Sequence, residues 1–242
     1  MSKPSGNAPG PDTLTPATLV VLQTAAGDPG FNMALDEVLL VSAASLAHTV
    51  LRFYSWTQPA ASFGYFQRYS EVEQLTSLRP LVRRPTGGGV VPHDRDWTYS
   101  VAFAPDHPWY SFAAVESYRL VHEWLRNAFA RMSISTQLAP ESRKAGAGQC
   151  FEGYEKSDLL WHGKKIAGAA QRRTKQGLLI QGSIQPPPVS LNRRDWETAM
   201  LECIPGAAAS GWKILVLPAS LILRAEELAR AKYSERYYNL KR

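Results

Sequence analysis

The sequence predicts a single α+β domain in which a central mixed β-sheet is flanked by helices. The chain has 242 residues, of which 45% are hydrophobic and 20% charged, so it can bury one substantial core but is short for two domains. Two long segments, 32–47 and 113–132, carry apolar residues at helical spacing. Between and after them lie short apolar or alternating runs bounded by glycine and proline, which are typical of strands.

The first half of the chain begins with a stretch that has almost nothing to bury. Residues 1–17 are rich in Pro, Gly, Ser and Thr, so we expect a disordered N-terminal arm, followed by one domain over 18–242. After a short strand over 20–22, Asn32 is the expected N-cap of the first long helix. The same criteria predict strands over 49–56 and 61–66, a short helix over 70–77 and a central strand beginning at Leu81.

The second half is dominated by the helix over 113–132, whose broad apolar face includes Val115 and Tyr118 and is expected to be buried. A polar loop over 140–148 follows. Beyond it the pattern predicts a hairpin over 158–161 and 164–170, a third strand over 178–184, and helices over 193–202 and 219–232.

Charge and cysteine content argue against several classes of protein. Lys and Arg number 27 against 21 Asp and Glu, a net charge of +6 without a dense basic run, which suits acidic proteins or anionic small molecules as well as nucleic acid. The two cysteines, Cys150 and Cys203, lack the spacing of a disulfide scaffold or a zinc site. With no signal pattern and no apolar run of about 18 residues, we expect a cytoplasmic protein without a membrane segment.

Three consecutive glycines, Gly87, Gly88 and Gly89, follow a pair of arginines between two predicted strands. Glycine is used where the backbone takes positive φ or approaches a ligand closely. Successive N–H groups can receive an oxygen, and Arg83 and Arg84 could add bidentate donors at the same place. A tight surface turn with two solvated arginines explains the pattern equally well. Neither standard nucleotide-binding glycine motif is present.

Two residues in the predicted hairpin region could carry chemistry. Lys165 lies in a strand beside small residues and points either to solvent or into a cleft, where it could offer its charge to a carbonyl or phosphate or orient an acid or nucleophile. Cys150 precedes the hairpin and is either a buried small hydrophobe or, near a cation, an ionised acyl acceptor. Cys203 follows a helix and is expected to pack in the core.

These motifs together resemble the lipoate–protein ligase, octanoyltransferase and biotin ligase superfamily. The matching segments are Arg-Arg-Pro-Thr-Gly-Gly-Gly-Val-Val-Pro-His-Asp from Arg83, Gly-Lys-Lys-Ile-Ala-Gly-Ala-Ala-Gln-Arg from Gly163, Gln-Gly-Ser-Ile from Gln181, and Asn-Met-Ala-Leu-Asp-Glu from Asn32. The resemblance implies a biotin/lipoate ligase-like, class II synthetase-like fold. It also implies an acyl chain in an apolar tunnel beside the glycine loop.

The resemblance further implies a set of site residues and no metal site. Cys150 and Lys165 are the expected catalytic residues. The expected substrate-binding residues are Arg52, Arg83, Arg84, Thr86, Gly87, Gly88, Gly89, His93, Asp94, Gly168, Ala169, Gln181, Gly182 and Ser183.

One octanoyltransferase branch of this superfamily has a Cys-Phe pair eight positions before an acidic hairpin residue, as Cys150 and Asp158 are here. The resemblance implies an acyltransferase that moves an octanoyl or lipoyl group from acyl carrier protein, through a cysteine thioester, to a lysine of a lipoyl carrier domain. The implied partners are octanoyl-loaded acyl carrier protein and the glycine cleavage H protein or dehydrogenase E2 subunits. No cofactor, nucleic acid or membrane is expected, and the protein is expected to be a monomer.

Three departures keep two alternatives open. Gln181 stands where the family usually has His, Tyr154-Glu155 replaces Pro-Ser after the Cys-Phe pair, and the loop has a third glycine as in the ligases. An ATP-dependent lipoate–protein ligase, using ATP and Mg through a lipoyl-adenylate, is the first alternative. A non-catalytic acyl-carrier binding protein is the second.

Overall fold

A computed structural model describes residues 19–143, 153–187, 189–205 and 212–241. The predicted N-terminal arm lies outside these residues. The elements are β1 (Leu19–Gln23), α1 (Pro29–Leu46), β2 (Thr49–Tyr54), β3 (Ala60–Phe63), α2 (Tyr69–Leu75), β4 (Leu81–Arg83), β5 (Val91–His93), β6 (Trp97–Phe103), α3 (Pro108–Ser111), α4 (Ala114–Arg131), β7 (Gln137–Leu138), β8 (Leu159–Trp161), β9 (Lys164–Thr174), β10 (Gly177–Ile184), α5 (Arg193–Glu202), β11 (Trp212–Ile214), α6 (Ala219–Leu228), a π-helix (Ala229–Tyr233) and α7 (Arg236–Asn239).

Eight strands form one mixed sheet in the order β11-β1-β2-β6-β10-β9-β8-β7, and three form a small sheet in the order β4-β3-β5. In the large sheet β1 pairs in parallel with β2 and β11, and the remaining pairs are antiparallel. One face packs against α4 and α5, and the other packs against α1 and α6. The predicted mixed-sheet domain flanked by helices is therefore confirmed.

Helix α1 begins earlier than the sequence pattern predicts. The Asp28 carboxylate accepts a hydrogen bond from Phe31 N at 3.0 Å, and Pro29 occupies the first turn, so Asp28 is the N-cap. The prediction that Asn32 caps the helix is wrong. Asn32 is buried, and its amide donates to the carbonyl oxygens of Gly27 at 3.2 Å and Ser55 at 3.0 Å, which ties the helix to the end of β2.

Strand β6 lies in the middle of the large sheet and is buried along its whole length. Its odd-numbered residues Tyr99, Val101 and Phe103 lie in the apolar core beside α4 and α5. Its even-numbered residues Thr98 and Ser100 face the opposite side, because side chains alternate along a strand. The side of the sheet next to α1 thus carries hydroxyl groups.

Three predictions about these elements are wrong. Leu81 begins a strand of the small sheet rather than a central strand, because β4 pairs only with β3 among the described residues. Val115 is 79% exposed, since it lies in the first turn of α4 before that helix reaches the sheet. The helix predicted over 219–232 ends at Leu228 and continues as the π-helix. Within the described ranges, no helix has the length and apolarity needed to cross a bilayer.

Candidate active site

The large and small sheets enclose a cavity with about 440 Å³ of empty volume, counted to its open mouth. Its floor includes Gly168, Ser183, Thr98 and Tyr54. These four residues are directly paired across β9, β10, β6 and β2 and so form one row. Three strand spacings of about 4.8 Å make this row about 14 Å long. The cavity is therefore a slot suited to a slender molecule lying across the strands.

The roof of the slot comes from the small sheet and the glycine loop. Ser62, Val91 and His93 line it from β3 and β5, and Gly88 lines it from the loop. Gly88 has φ of +88°, a conformation that favours glycine. A Cβ on Gly64 would lie 2.0 Å from the Gly88 carbonyl oxygen, so Gly64 allows the loop to pack against the small sheet.

The carboxylate of Asp96 joins roof and floor. Its Oδ2 accepts hydrogen bonds from Thr98 Oγ1 at 2.9 Å and Ser183 Oγ at 2.7 Å, and lies 2.8 Å from His93 Nδ1. Because the carboxylate accepts, His93 Nδ1 carries a proton and Nε2 accepts from Ser62 Oγ at 2.8 Å. The hydroxyl groups lining the slot are thus already paired, and the slot presents a largely apolar interior.

Ser62, His93 and Asp96 have the hydrogen-bond direction of a serine hydrolase triad. Ser62 Oγ, however, lies on a fully buried strand and also accepts from an Arg84 guanidinium nitrogen at 3.3 Å. The serine is therefore held between two side chains, and we interpret the array as a support that fixes the small sheet above the large one.

Behind the slot, the carboxylate of Asp36 organises a second network. Gln181 accepts from Thr86 Oγ1 at 2.8 Å and donates to Asp36 Oδ2 at 2.7 Å, which fixes the orientation of its amide. Asp36 also accepts from Arg52 at 2.7 Å and from Ser100 at 2.8 Å. Arg52 and Asp36 are both fully buried, so Arg52 orients this carboxylate rather than lining the slot.

The two arginines before the glycine loop do not converge on one place, which corrects the expectation of a shared donor site. Arg84 donates to the carbonyl oxygens of Gly87 and Gly89 and thereby shapes the loop. Arg83 is fully buried and turns the other way. Its guanidinium donates to the carbonyl oxygens of Tyr65, Gln67, Tyr238 and Asn239. Arg83 therefore attaches α7 to the small sheet.

The predicted substrate-binding residues fall into two groups. Those that line the slot are Arg84, Gly88, His93, Gly168, Ala169, Gln181, Gly182 and Ser183. Those that lie outside its lining are Arg52, Arg83, Thr86, Gly87, Gly89 and Asp94, and Asp94 is exposed. Sequence reasoning missed Met33, Tyr54, Trp56, Ser62, Val91, Thr98 and Ala170. Strand register brings most of these together, and register is not visible in the local pattern. Substrate binding by any of them stays a prediction.

Lys165 lies at the β9 end of the slot. Its Nζ is 2.7 Å from Asp158 Oδ2, and both side chains are almost completely buried. A Cβ on Gly168 would lie 2.8 Å from that Nζ, so the glycine leaves room for the ammonium group beside the floor of the slot. Asp158 Oδ2 also accepts from Glu155 N at 2.7 Å, and Oδ1 accepts from the Tyr118 hydroxyl.

Cys150 lies outside the described residues, so its meeting with Lys165 stays a prediction. The described residues on either side pair with each other: Arg143 and Tyr154 exchange two backbone hydrogen bonds at 2.8 and 3.0 Å. In the described ranges, no three His, Cys, Asp or Glu side chains are grouped so that they could hold a metal ion. The Lys165–Asp158 pair at the end of the slot supplies the groups that could take part in a reaction.

The architecture is the catalytic fold of lipoate–protein ligases. A solved lipoate–protein ligase A bound with ATP is similar with a TM-score of 0.73 at 21% identity, over 93% of this chain and 98% of that one. The bi-partite lipoate protein ligase of Thermoplasma acidophilum, from an archaeal lipoylation system with its E2 lipoyl domain, has a TM-score of 0.69 at 18% identity, over 93% and 96% of the two chains.

The chain belongs to the lipoyl protein ligase A/B catalytic domain family, whose model matches residues 28–185. It is 32% identical to octanoyltransferase LipM of Geobacillus kaustophilus, over 88% of this chain and 95% of that protein. The predicted family and the predicted lipoate ligase-like fold are both confirmed.

Proposed function

We propose that this protein is an octanoyltransferase of lipoate metabolism, which transfers an octanoyl group to a lysine of a lipoyl carrier domain. The observation that carries the proposal is the slot that ends at the buried Lys165–Asp158 pair. An apolar slot of this length suits an acyl chain, and a cation at its end suits the reacting carbonyl. The similarity to LipM over most of both chains supports octanoyl transfer in particular.

The reaction we propose has two acyl transfers with a thioester between them. The Cys150 thiolate attacks the carbonyl of an octanoyl thioester on acyl carrier protein, the carrier's C–S bond breaks, and the carrier thiol leaves with a proton. The amine of the target lysine then attacks the Cys150 thioester, an amide forms, and the thiolate is released. Lys165 takes and returns the proton, and the loop amides near Gly88 and Gly89 stabilise the developing oxyanion.

No nucleotide is needed in this scheme, because the carrier thioester is already an activated acyl group. The ligase alternative needs ATP and Mg to activate a free acid, and a solved neighbour of the same fold binds ATP. The third glycine of the loop, Gly89, favours that alternative. Gln181 favours a binding protein, since its amide is held by Thr86 and Asp36 and cannot act as an imidazole base.

The proposed partners are octanoyl-loaded acyl carrier protein as donor and a lipoyl carrier domain, such as an E2 subunit or the glycine cleavage H protein, as acceptor. The Thermoplasma ligase works with its E2 lipoyl domain. The net charge of +6 favours association with acidic carrier domains.

The test is intact mass of the protein after incubation with octanoyl-loaded acyl carrier protein in the absence of ATP. We expect the native chain to gain an octanoyl group that hydroxylamine removes. Cys150→Ala should gain none, whereas Cys203→Ala should behave as the native chain, because Cys203 packs beside the apolar core. No adduct, but lipoylation of a carrier domain with lipoate and ATP, would make the protein a ligase. Failure of both reactions would leave the binding protein.

A further inference from the structure

The end of the slot opposite Lys165 is closed by two aromatic side chains. Tyr54 is the last residue of β2 and of the floor row, and Trp56 follows it two residues later. Both side chains line the slot, and their ring centroids lie 5.9 Å apart. A slender molecule whose head lies beside Lys165 therefore meets these two rings, the end wall of the slot, with its tail.

Trp56 joins the floor of the slot to its roof. The indole Nε1 donates to Thr98 Oγ1 in the floor at 2.8 Å. The indole also stacks on the His93 ring in the roof, with centroids 3.9 Å apart and planes 20° apart. Trp56 is half-buried and the three residues after it are exposed, so its indole separates this end of the slot from solvent.

Tyr54 is fixed from behind. Its side chain is fully buried, and its hydroxyl donates to Asp36 Oδ2 at 3.1 Å. The guanidinium carbon of Arg52 lies 4.0 Å from the centre of the ring. Burial and the neighbouring Asp36 carboxylate raise the pKa of Tyr54, so the phenol keeps the proton that it donates. The ring cannot retreat to lengthen the slot without breaking these contacts.

The length of the slot can be compared with that of an acyl chain. The row from Gly168 to Tyr54 is about 14 Å long. Carbon atoms pack at about 4 Å, so about 10 Å of the row is open to a chain that begins beside Lys165. An extended chain advances about 1.25 Å per C–C bond. The octanoyl group has seven such bonds and spans about 9 Å, whereas the dodecanoyl group has eleven and spans about 14 Å.

We propose that Trp56 and Tyr54 set the maximum length of the acyl substrate at about eight carbons. The terminal methyl group of an octanoyl chain contacts the two rings. A longer chain would have to move the Trp56 indole away from Thr98 and His93. The inference rests on the proposed function, because acyl transfer beside Lys165 places the carbonyl group at the opposite end of the slot.

The first test is the chain-length profile of Trp56→Ala, measured as kcat/KM with acyl carrier protein loaded with octanoyl, decanoyl or dodecanoyl groups. The native chain should favour octanoyl over dodecanoyl about a hundredfold or more. In Trp56→Ala that ratio should fall about tenfold or more, because the additional carbons can pass the wall towards solvent. An unchanged ratio overturns the proposal.

Two further variants show whether the wall acts by its bulk. Trp56→Phe keeps a ring but loses the donor to Thr98, and it should keep the native preference for octanoyl. Trp212→Ala is the matched control, since Trp212 is 39% exposed on β11, two strands beyond β2, and lies outside the lining of the slot. Its chain-length profile should be native. An equally broadened profile in Trp212→Ala would mean general loosening of the fold and overturn the proposal.

The second test depends neither on transfer nor on the stability of the alanine variant. Titration calorimetry would compare free octanoate and dodecanoate binding to the native chain and to Trp56→Leu, a milder truncation. Without a length limit, dodecanoate would bind more tightly because it buries more methylene groups. We expect the native chain to favour octanoate about tenfold or more, and Trp56→Leu to narrow or reverse that preference.

Tighter native binding of dodecanoate, or binding of neither acid, overturns the proposal. If the native chain favours octanoate and Trp56→Leu does not, but no octanoyl adduct forms from the carrier, the length limit stands and the proposed function fails.

Discussion

Two aspartates near the slot, Asp96 and Asp158, show how the same side chain can serve two purposes. Asp96 accepts from two hydroxyl groups and a histidine, and none of those three partners is left with an unpaired polar atom. Asp158 binds an ammonium group and a phenol, and one ring nitrogen of the neighbouring His122 has no partner among the residues that the structure describes. A fully paired polar cluster is rigid and fixes a shape, whereas a buried polar atom without a partner marks a place where strain or function is the explanation. The difference assigns the shape of the slot to Asp96, beside the middle of its floor, and the chemistry to Asp158, beside its β9 end.

The largest expected effects come from removing the charge of either aspartate. Asp158→Asn leaves the buried Lys165 ammonium facing an amide, so we expect a loss of about 3–5 kcal/mol in the free energy of unfolding and of about a hundredfold or more in transfer rate. Asp96→Asn breaks hydrogen bonds without leaving a buried charge, and we expect a loss of about 1–3 kcal/mol.

The two variants should also differ in kinetics. Asp96→Asn should weaken acyl binding and raise KM with the pH profile preserved, whereas Asp158→Asn should change the profile. Urea unfolding and pH–rate curves of both variants check this. The same pH–rate curve for both aspartate variants would contradict the division of shape from chemistry.

His122, the histidine beside Asp158, should also contribute to the pH dependence of stability. Burial holds the pKa of His122 at about 4 in the folded state, against an ordinary value of 6.5. The unfolded chain therefore binds more protons between these values, and stability falls as pH decreases from 6.5 towards 4. The full effect is about 3 kcal/mol at 1.36 kcal/mol per pKa unit.

Urea unfolding from pH 7.5 to pH 4.5 measures this slope, and His122→Asn should make it shallower. The control is His93→Asn, in which the histidine removed is one whose ring nitrogens are both paired. If the slope of His122→Asn equals the native slope, burial does not hold the pKa of His122 below its ordinary value.

Much of the fold was predictable from the sequence, because long amphipathic helices and alternating strands depend on local pattern. The helix over 193–202 has the predicted bounds, and the hairpin of β8 and β9 lies where the pattern places it. The small sheet was not predictable as a separate layer, since a segment of only three residues such as β4 can pair in either sheet. The strand with which β4 pairs depends on contacts between residues that are distant along the chain.

The motifs of the site were predictable from the sequence, but the directions in which their side chains point were not. The glycine loop and Lys165 were identified, yet the pair Arg83 and Arg84 turn apart because each finds carbonyl oxygens on a different side. The apolar face of α4 predicts a core position for Tyr118. Only the packing of α4 against the edge of the sheet brings Tyr118 and His122 to Asp158, which is 36 residues further along than His122.

The smallest effects are expected from two glycines, Gly64 beside the glycine loop and Gly168 in the floor of the slot. A Cβ on Gly64 would meet the Gly88 carbonyl oxygen at 2.0 Å, a backbone atom that cannot move without the loop. A Cβ on Gly168 would meet Lys165 Cε at 2.7 Å, the end of a flexible side chain that can swing aside. Gly64→Ala should therefore cost about 1–3 kcal/mol of stability, and Gly168→Ala distinctly less.

Gly168→Ala should lose more transfer rate than Gly64→Ala, although it should lose less stability. Gly168→Ala moves the ammonium group from its place at the end of the slot, so the rate should fall about tenfold with little change in Tm, because small misplacements of a catalytic group are costly. Gly64→Ala should lose rate only in proportion to acyl binding, seen as a raised KM. Thermal melting and single-turnover transfer on both variants separate the two cases. A Gly168→Ala protein with native rate would show that Lys165 acts from another position, and the chemistry assigned to that end of the slot would have to be sought elsewhere.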